Sequence, residues 1–176
     1  NENGFINRKP EGSIRHQEVT LQVNPEQKEY LLNLKPDKRN TLPAAVKTPK
    51  SFPVIMPFRY AEIEGNNLKI SKNDVYQIAY HTYFDDNKSY FSSSNEVLNQ
   101  VWAMCKYTIK VTSFTGLYVD GDRERIPYEA DAYINQLGAY TTNNDYNIAK
   151  NTIEYFMEHP TWPTEWQLHV ALMLEQ

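Results

Sequence analysis

Apolar positions follow one period in the first half of the chain and another in the second. "QEVTLQV" sets Val19, Leu21 and Val23 against polar neighbours, and "YLLNL" continues with Leu32 and Leu34. Alternation of this kind marks half-buried strands. "TLPAAVKTPKSFP" carries three prolines and reads as loop or sheet edge. "VIMPFRYAEIEG" is the next strand candidate, closed by Gly65 and Asn66. "VYQIAYHTYF" then puts Tyr76, Ile78, Tyr80 and Phe84 on one face. Strands separated by turn signals, with no helical stripe among them, predict a β-sandwich portion over residues 1–90.

From residue 93 the spacing becomes helical. Ser93 with Glu96 has the form of a capping box. Leu98, Trp102, Cys105 and Ile109 follow at i, i+4, i+7 and i+11, a stripe on which Cys105 is expected to be a small buried hydrophobe. A second helix is predicted from about Tyr128 to Tyr140, with Tyr133, Leu137 and Tyr140 inward. Asn144 or Asp145 would cap a third, whose stripe is Ile148, Thr152, Tyr155 and Phe156 and which stops before His159-Pro160. A fourth begins near Pro163, where Thr164 and Gln167 form another capping pair. Short loops between these helices predict antiparallel pairs over residues 91–176. "TEWQLHVALMLEQ" stops with no cap behind Leu172, Met173 and Leu174, and the chain opens on Asn1, so both ends read as cut from a longer protein.

Charge narrows the partners. The 176 residues carry a formal net charge of -4, and no basic footprint for nucleic acid or an anionic membrane is present. No apolar run has the length of a membrane span. The single cysteine rules out a disulfide framework and fits an oxidising or a reducing compartment. His16, His81, His159 and His169 show no metal-binding spacing, and neither a metal nor a cofactor is expected. Aromatic residues make up 13% of the chain, with 13 Tyr and 3 Trp. Flat faces with a polar handle suit the C–H faces and hydroxyls of sugars, while strand propensity is the better account of the tyrosines in the first half.

Between the first two helices lies "VDGDRERIPYEADA", residues 119–132, with seven charges in fourteen positions. One reading is a solvated loop whose Glu129 and Asp131 favour the positive end of a helix. A calcium loop is a second: Asp120, Asp122 and Glu124 alternate, but the spacing of an EF-hand is missing and two arginines intervene. The third is a proton-handling site. Glu124 stands between Asp120 and Asp122 on one side and Asp131 on the other, and neighbouring carboxylates help keep an acid protonated. Arg123 and Arg125 are placed to orient those carboxylates, and Tyr118, Tyr128, Trp162 and Trp166 to line a sugar floor.

The same stretch resembles the signature of bacterial α-L-rhamnosidases, an inverting family of glycoside hydrolases. Glu124-Arg125 match its Glu-Arg, Asp131-Ala132 its closing Asp-Ala, and Asp120 its leading Asp with a shorter spacer. Asp122-Arg123 stand where the family has Arg-Asp, Tyr128 where it has Trp, and Pro127 and Ala130 where it has glycines. "PFRYAEIEG" is similar to a strand of the β-domain before the family's barrel, and "SNEVLNQVWAMCKYTI" to that barrel's first helix. The resemblance implies a β-sandwich portion followed by the opening helices of an (α/α)6 barrel. It implies hydrolysis of terminal α-L-rhamnosyl linkages with inversion, on a rhamnose-containing oligosaccharide or glycoside. Glu124 would be the general acid, with Asp120, Asp122, Arg125, Tyr128, Asp131, Trp162, Glu165 and Trp166 around the sugar. The base would be a Glu further along the barrel, so the activity is expected of the full-length parent. A non-catalytic carbohydrate-binding protein is the alternative. The compartment stays open, with periplasmic or secreted favoured over cytoplasmic.

Overall fold

The computed structural model describes residues 6–65 and 69–176. Four helices organise it: α1 (Glu96–Thr112), α2 (Glu129–Thr142), α3 (Asn147–Glu158) and α4 (Thr164–Glu175), with 3-10 turns at Lys38–Asn40 and Lys72–Asp74. The chain divides into two compact units, Asn1–Asp37 with Pro49–Ile78, and Lys38–Thr48 with Ala79–Gln176.

The expected β-sandwich is absent: the described residues contain no strand. Asn66, one of the residues expected to close a strand, lies outside them. In the first unit the alternating face is not buried either, with Val19, Leu21 and Val23 exposed at 36%, 42% and 64%. Alternation specifies a face, whereas a strand exists only when its backbone pairs with another segment. Here long-range backbone partners are side chains. Gln17 donates to the Lys35 carbonyl and accepts from the Lys35 N–H, both at 2.8 Å. The Glu62 carboxylate accepts from Ile6 N–H at 3.0 Å, and Arg15 pairs with Asp37 at 3.1 Å. Among the described residues the backbone-to-backbone bonds of this unit are turns, such as Gln27 to Asn24 and Phe52 to Pro49.

In the helical unit α2 is central and packs against α1, α3 and α4, and α3 also meets α4. Tyr118, Ala132, Ala139, Ile148, Ala149, Phe156 and Met173 form the core, flanked by Ile109, Tyr133 and Tyr140. The buried line of α2 is Glu129, Ala132, Gln136, Ala139 and Thr142, while Leu137 is exposed. A helix with three helical neighbours buries its small residues, because these let the neighbours approach. Gly138 is one such point, since a Cβ there would lie 2.9 Å from Ile109 Cδ1.

α1 is rotated from its expected stripe. Cys105 is exposed, as is Leu98, and the covered line runs through Trp102, Lys106, Ile109 and Ser113. Lys106 is buried because its ammonium donates to the carbonyls of Asp86 at 2.6 Å and Ser89 at 3.0 Å, 5.0 Å from the Trp102 ring centre. Its aliphatic stem then serves as packing surface. Capping also moves by two residues: Asn95, not Ser93, accepts from the Val97 N–H. Neither Tyr146 before α3 nor Pro163 before α4 makes a side-chain cap bond. Asp145 takes the Asn147 N–H instead. The stripe of α3 is as expected, with Ile148, Thr152 and Phe156 buried.

Candidate active site

The charged stretch closes on itself. Asp120 N–H donates to the Ile126 carbonyl and Ile126 N–H to Asp120 Oδ1, both at 3.1 Å, which forms a neck. Inside the neck Gly121 has φ 117° and Arg125 φ 57°, both in the left-handed region. A non-glycine residue there costs on the order of 1 kcal/mol or more, so neighbouring contacts must hold it. They do. Arg125 Nε and Nη2 reach Asp122 Oδ1 at 2.8 and 2.6 Å, and both side chains are buried. The guanidinium lies 5.5 Å from the Phe114 ring, and the Arg125 carbonyl accepts from Val46 N–H at 2.8 Å. Asn40 donates to the Asp122 carbonyl at 2.8 Å. The Lys38–Thr48 segment thus braces the loop from more than seventy residues away.

With Asp122 and Arg125 directed inward, Arg123 and Glu124 occupy the tip. Glu124 Oε2 accepts from the Tyr128 hydroxyl at 2.9 Å, and Glu124 Oε1 meets Arg123 Nη2 at 3.0 Å. The Tyr128 ring lies 6.1 Å from Trp162 and 6.5 Å, edge-on, from Trp166, and the two indoles are 5.7 Å apart. Three aromatic rings therefore cluster, and one of them, Tyr128, bonds the Glu124 carboxyl. Burial and the bond to Glu124 push the Tyr128 phenol up to about 12, so it is a hydrogen-bond donor at neutral pH. Burial raises the Asp120 carboxyl, opposed by its bond from Ile126 N–H and aided by the negative charges of Glu124 and Asp131.

Of the residues singled out in the sequence, Glu124, Tyr128, Trp162 and Trp166 come together, with Asp120 and Asp131 in electrostatic reach of the cluster. Asp122 and Arg125 are bonded to each other beneath the loop. Glu165 is exposed on the first turn of α4. His169 lies between Trp166 and Tyr133, its Nδ1 2.9 Å from the Trp166 carbonyl. Sequence reasoning missed Asn40, which no local pattern marks. It also missed Glu129, read as an ordinary first-turn acid. Glu129 is fully buried, and its two oxygens accept from Thr161 N–H at 2.7 Å and Thr161 Oγ1 at 2.6 Å. The residue after Thr161 is Trp162, so this bond sets one wall of the aromatic cluster. Its only sequence signal is its helical spacing from Ala132, Gln136 and Ala139.

Residues 86–165 match the family model for the bacterial alpha-L-rhamnosidase 6 hairpin glycosidase domain. This region is similar to that family. The match spans α1 to the first turn of α4 and includes the whole charged loop. No curated protein and no solved structure matches the chain. A six-hairpin glycosidase domain supports a glycoside-hydrolase function on a carbohydrate substrate. It also agrees with an all-helical arrangement in place of the expected β-then-α one. Among the described residues no helix is long and apolar enough to cross a membrane, and no group of three or more His, Cys, Asp or Glu is placed to hold a metal ion.

Proposed function

We propose that the protein hydrolyses terminal α-L-rhamnosyl linkages with inversion, with Glu124 as the general acid. The observation that carries this is the Glu124 carboxyl anchored by Tyr128 against the Trp162–Trp166 pair, within a rhamnosidase-type domain. Aromatic faces pack on the apolar face of a sugar, and a carboxyl at their edge then lies beside the glycosidic oxygen. Asp120 and Asp131 accept hydrogen bonds from ring hydroxyls, and Glu165 touches the far side of the substrate. Asp122 and Arg125, expected from the family resemblance beside the sugar, act from beneath by holding the loop in its strained path. Inversion requires a second carboxyl about 6.5 to 9.5 Å from the acid, with room for the attacking water. The family resemblance puts that base further along the barrel.

The test is a panel of nitrophenyl glycosides offered to the protein as its gene encodes it, with the product anomer followed by proton NMR. Release from the α-L-rhamnoside with the β-anomer appearing first is the expected outcome. Cleavage of another glycoside alone moves the substrate assignment elsewhere, and α-anomer first contradicts inversion. A panel bound but uncleaved makes the site a carbohydrate-binding one.

A further inference from the structure

Glu124 has two oxygens in different circumstances. Oε2 is held by Tyr128, whose hydroxyl donates to it at 2.9 Å and whose ring is fixed by both indoles. Oε1 faces Arg123, the residue before it, whose side chain is more than half exposed. An exposed ion pair of this kind is worth about 0 to 1 kcal/mol and is readily exchanged for another partner. A hydrogen bond from a half-buried phenol on a packed ring is harder to replace. One oxygen is therefore anchored and the other is available.

We propose that Tyr128 is a positioning residue for the proton donor: its hydroxyl clamps Glu124 Oε2, so that the transferable proton resides on Oε1 and is aimed at the glycosidic oxygen. This rests on the reading of Glu124 as general acid and adds a role for Tyr128 separate from contact with the sugar. The proton passes from Glu124 Oε1 to the leaving oxygen as the C–O bond breaks. The carboxylate left behind keeps its hydrogen bond from Tyr128 and regains Arg123. Tyr128 itself transfers no proton, and its phenol, held at about 12, stays protonated throughout. A phenylalanine at this position would keep the ring against Trp162 and Trp166 and free the carboxyl to rotate. Misalignment of a reacting group is costly even when the group itself is retained.

The experiment compares Tyr128→Phe and Glu124→Gln with the native protein as encoded, on two α-L-rhamnosides. One has a dinitrophenolate leaving group, which needs no protonation, and the other a simple alkoxide, which does. For Tyr128→Phe the expected result is KM within about twofold on both substrates and kcat lower by roughly tenfold on the alkyl substrate only. Equal losses on the two substrates, no loss, or a change in KM alone would overturn the clamp. Glu124→Gln separates this from the broader reading. If it is inactive on the alkyl rhamnoside while Tyr128→Phe behaves as native, the clamp alone falls. If Glu124→Gln remains active there, the general-acid assignment falls as well.

Discussion

The helical unit and the unit formed by Asn1–Asp37 with Pro49–Ile78 place their apolar residues differently. In the helical unit Ala132, Ala149, Phe156 and Met173 are nearly or wholly removed from water around α2. In the other, Val23, Leu32, Tyr76 and Ile78 are all more than half exposed. Both contain long periodic stretches of apolar residues, so hydrophobicity alone does not separate them. Backbone hydrogen bonding does. A helix satisfies its own N–H and C=O groups within a few residues and needs neighbours only for its stripe. An extended segment must find another backbone, and here it finds side chains such as Gln17 and Glu62. The candidate site follows the same division: Glu124, the aromatic cluster and the brace all belong to the helical unit.

The sharpest way to break this contrast is to cut the buried bonds of α2. Glu129→Ala leaves the Thr161 N–H without its acceptor and opens a cavity, at a cost on the order of 3 kcal/mol. Chemical denaturation should show that loss as a lower midpoint with activity falling alongside, and an unchanged midpoint would mean that the bond is incidental. Tyr118→Phe should act in the opposite direction by about 1 kcal/mol. Its hydroxyl is buried without a hydrogen-bond partner among the described residues, and burial has raised its phenol. A lower melting temperature for that variant would show that the hydroxyl is satisfied in solution. Asp120→Asn should give a smaller gain that depends on pH. Burial raises the carboxyl from 3.8, its ordinary value, so the folded chain binds its proton more tightly than the unfolded chain does. Native stability is therefore lost as pH rises from the unfolded to the folded value. The variant should be the more stable at neutral pH and lose that advantage below about pH 4. Melting curves across that range that stay parallel would contradict it. Smallest of all, Val23→Ser in the first unit should change stability by less than about 0.5 kcal/mol, because that side chain is already in water. A loss resembling that of Glu129→Ala would show that the first unit has a buried core after all.

These differences also explain what the residues alone made legible. The four helices and the third helix's stripe follow from a period that is local and self-sufficient. The β-sandwich was expected from a period that is equally regular but leaves the pairing partner unspecified. Faces were harder than elements. Tyr133, Leu137 and Tyr140 look like the inward line of α2, yet a helix touched by three others turns Ala132, Gln136 and Ala139 inward. Cys105 fell outside the covered line because the Lys106 ammonium found two carbonyl partners beside α1. At the site, Glu124 and its aromatic neighbours were legible because chemistry and spacing agreed. The inward turn of Asp122 and Arg125 was not, since it depends on Asn40 and Val46, distant in sequence and unmarked by any motif.

The most direct measurement is hydrolysis of an alkyl α-L-rhamnoside by the encoded protein and its Glu124→Gln variant, with folding of both verified by circular dichroism. Cleavage by the native protein and a loss of roughly 100-fold or more in the variant are expected for a general acid. A folded variant that matches the native rate would contradict that role and leave the charged tip a solvated loop beside an aromatic cluster.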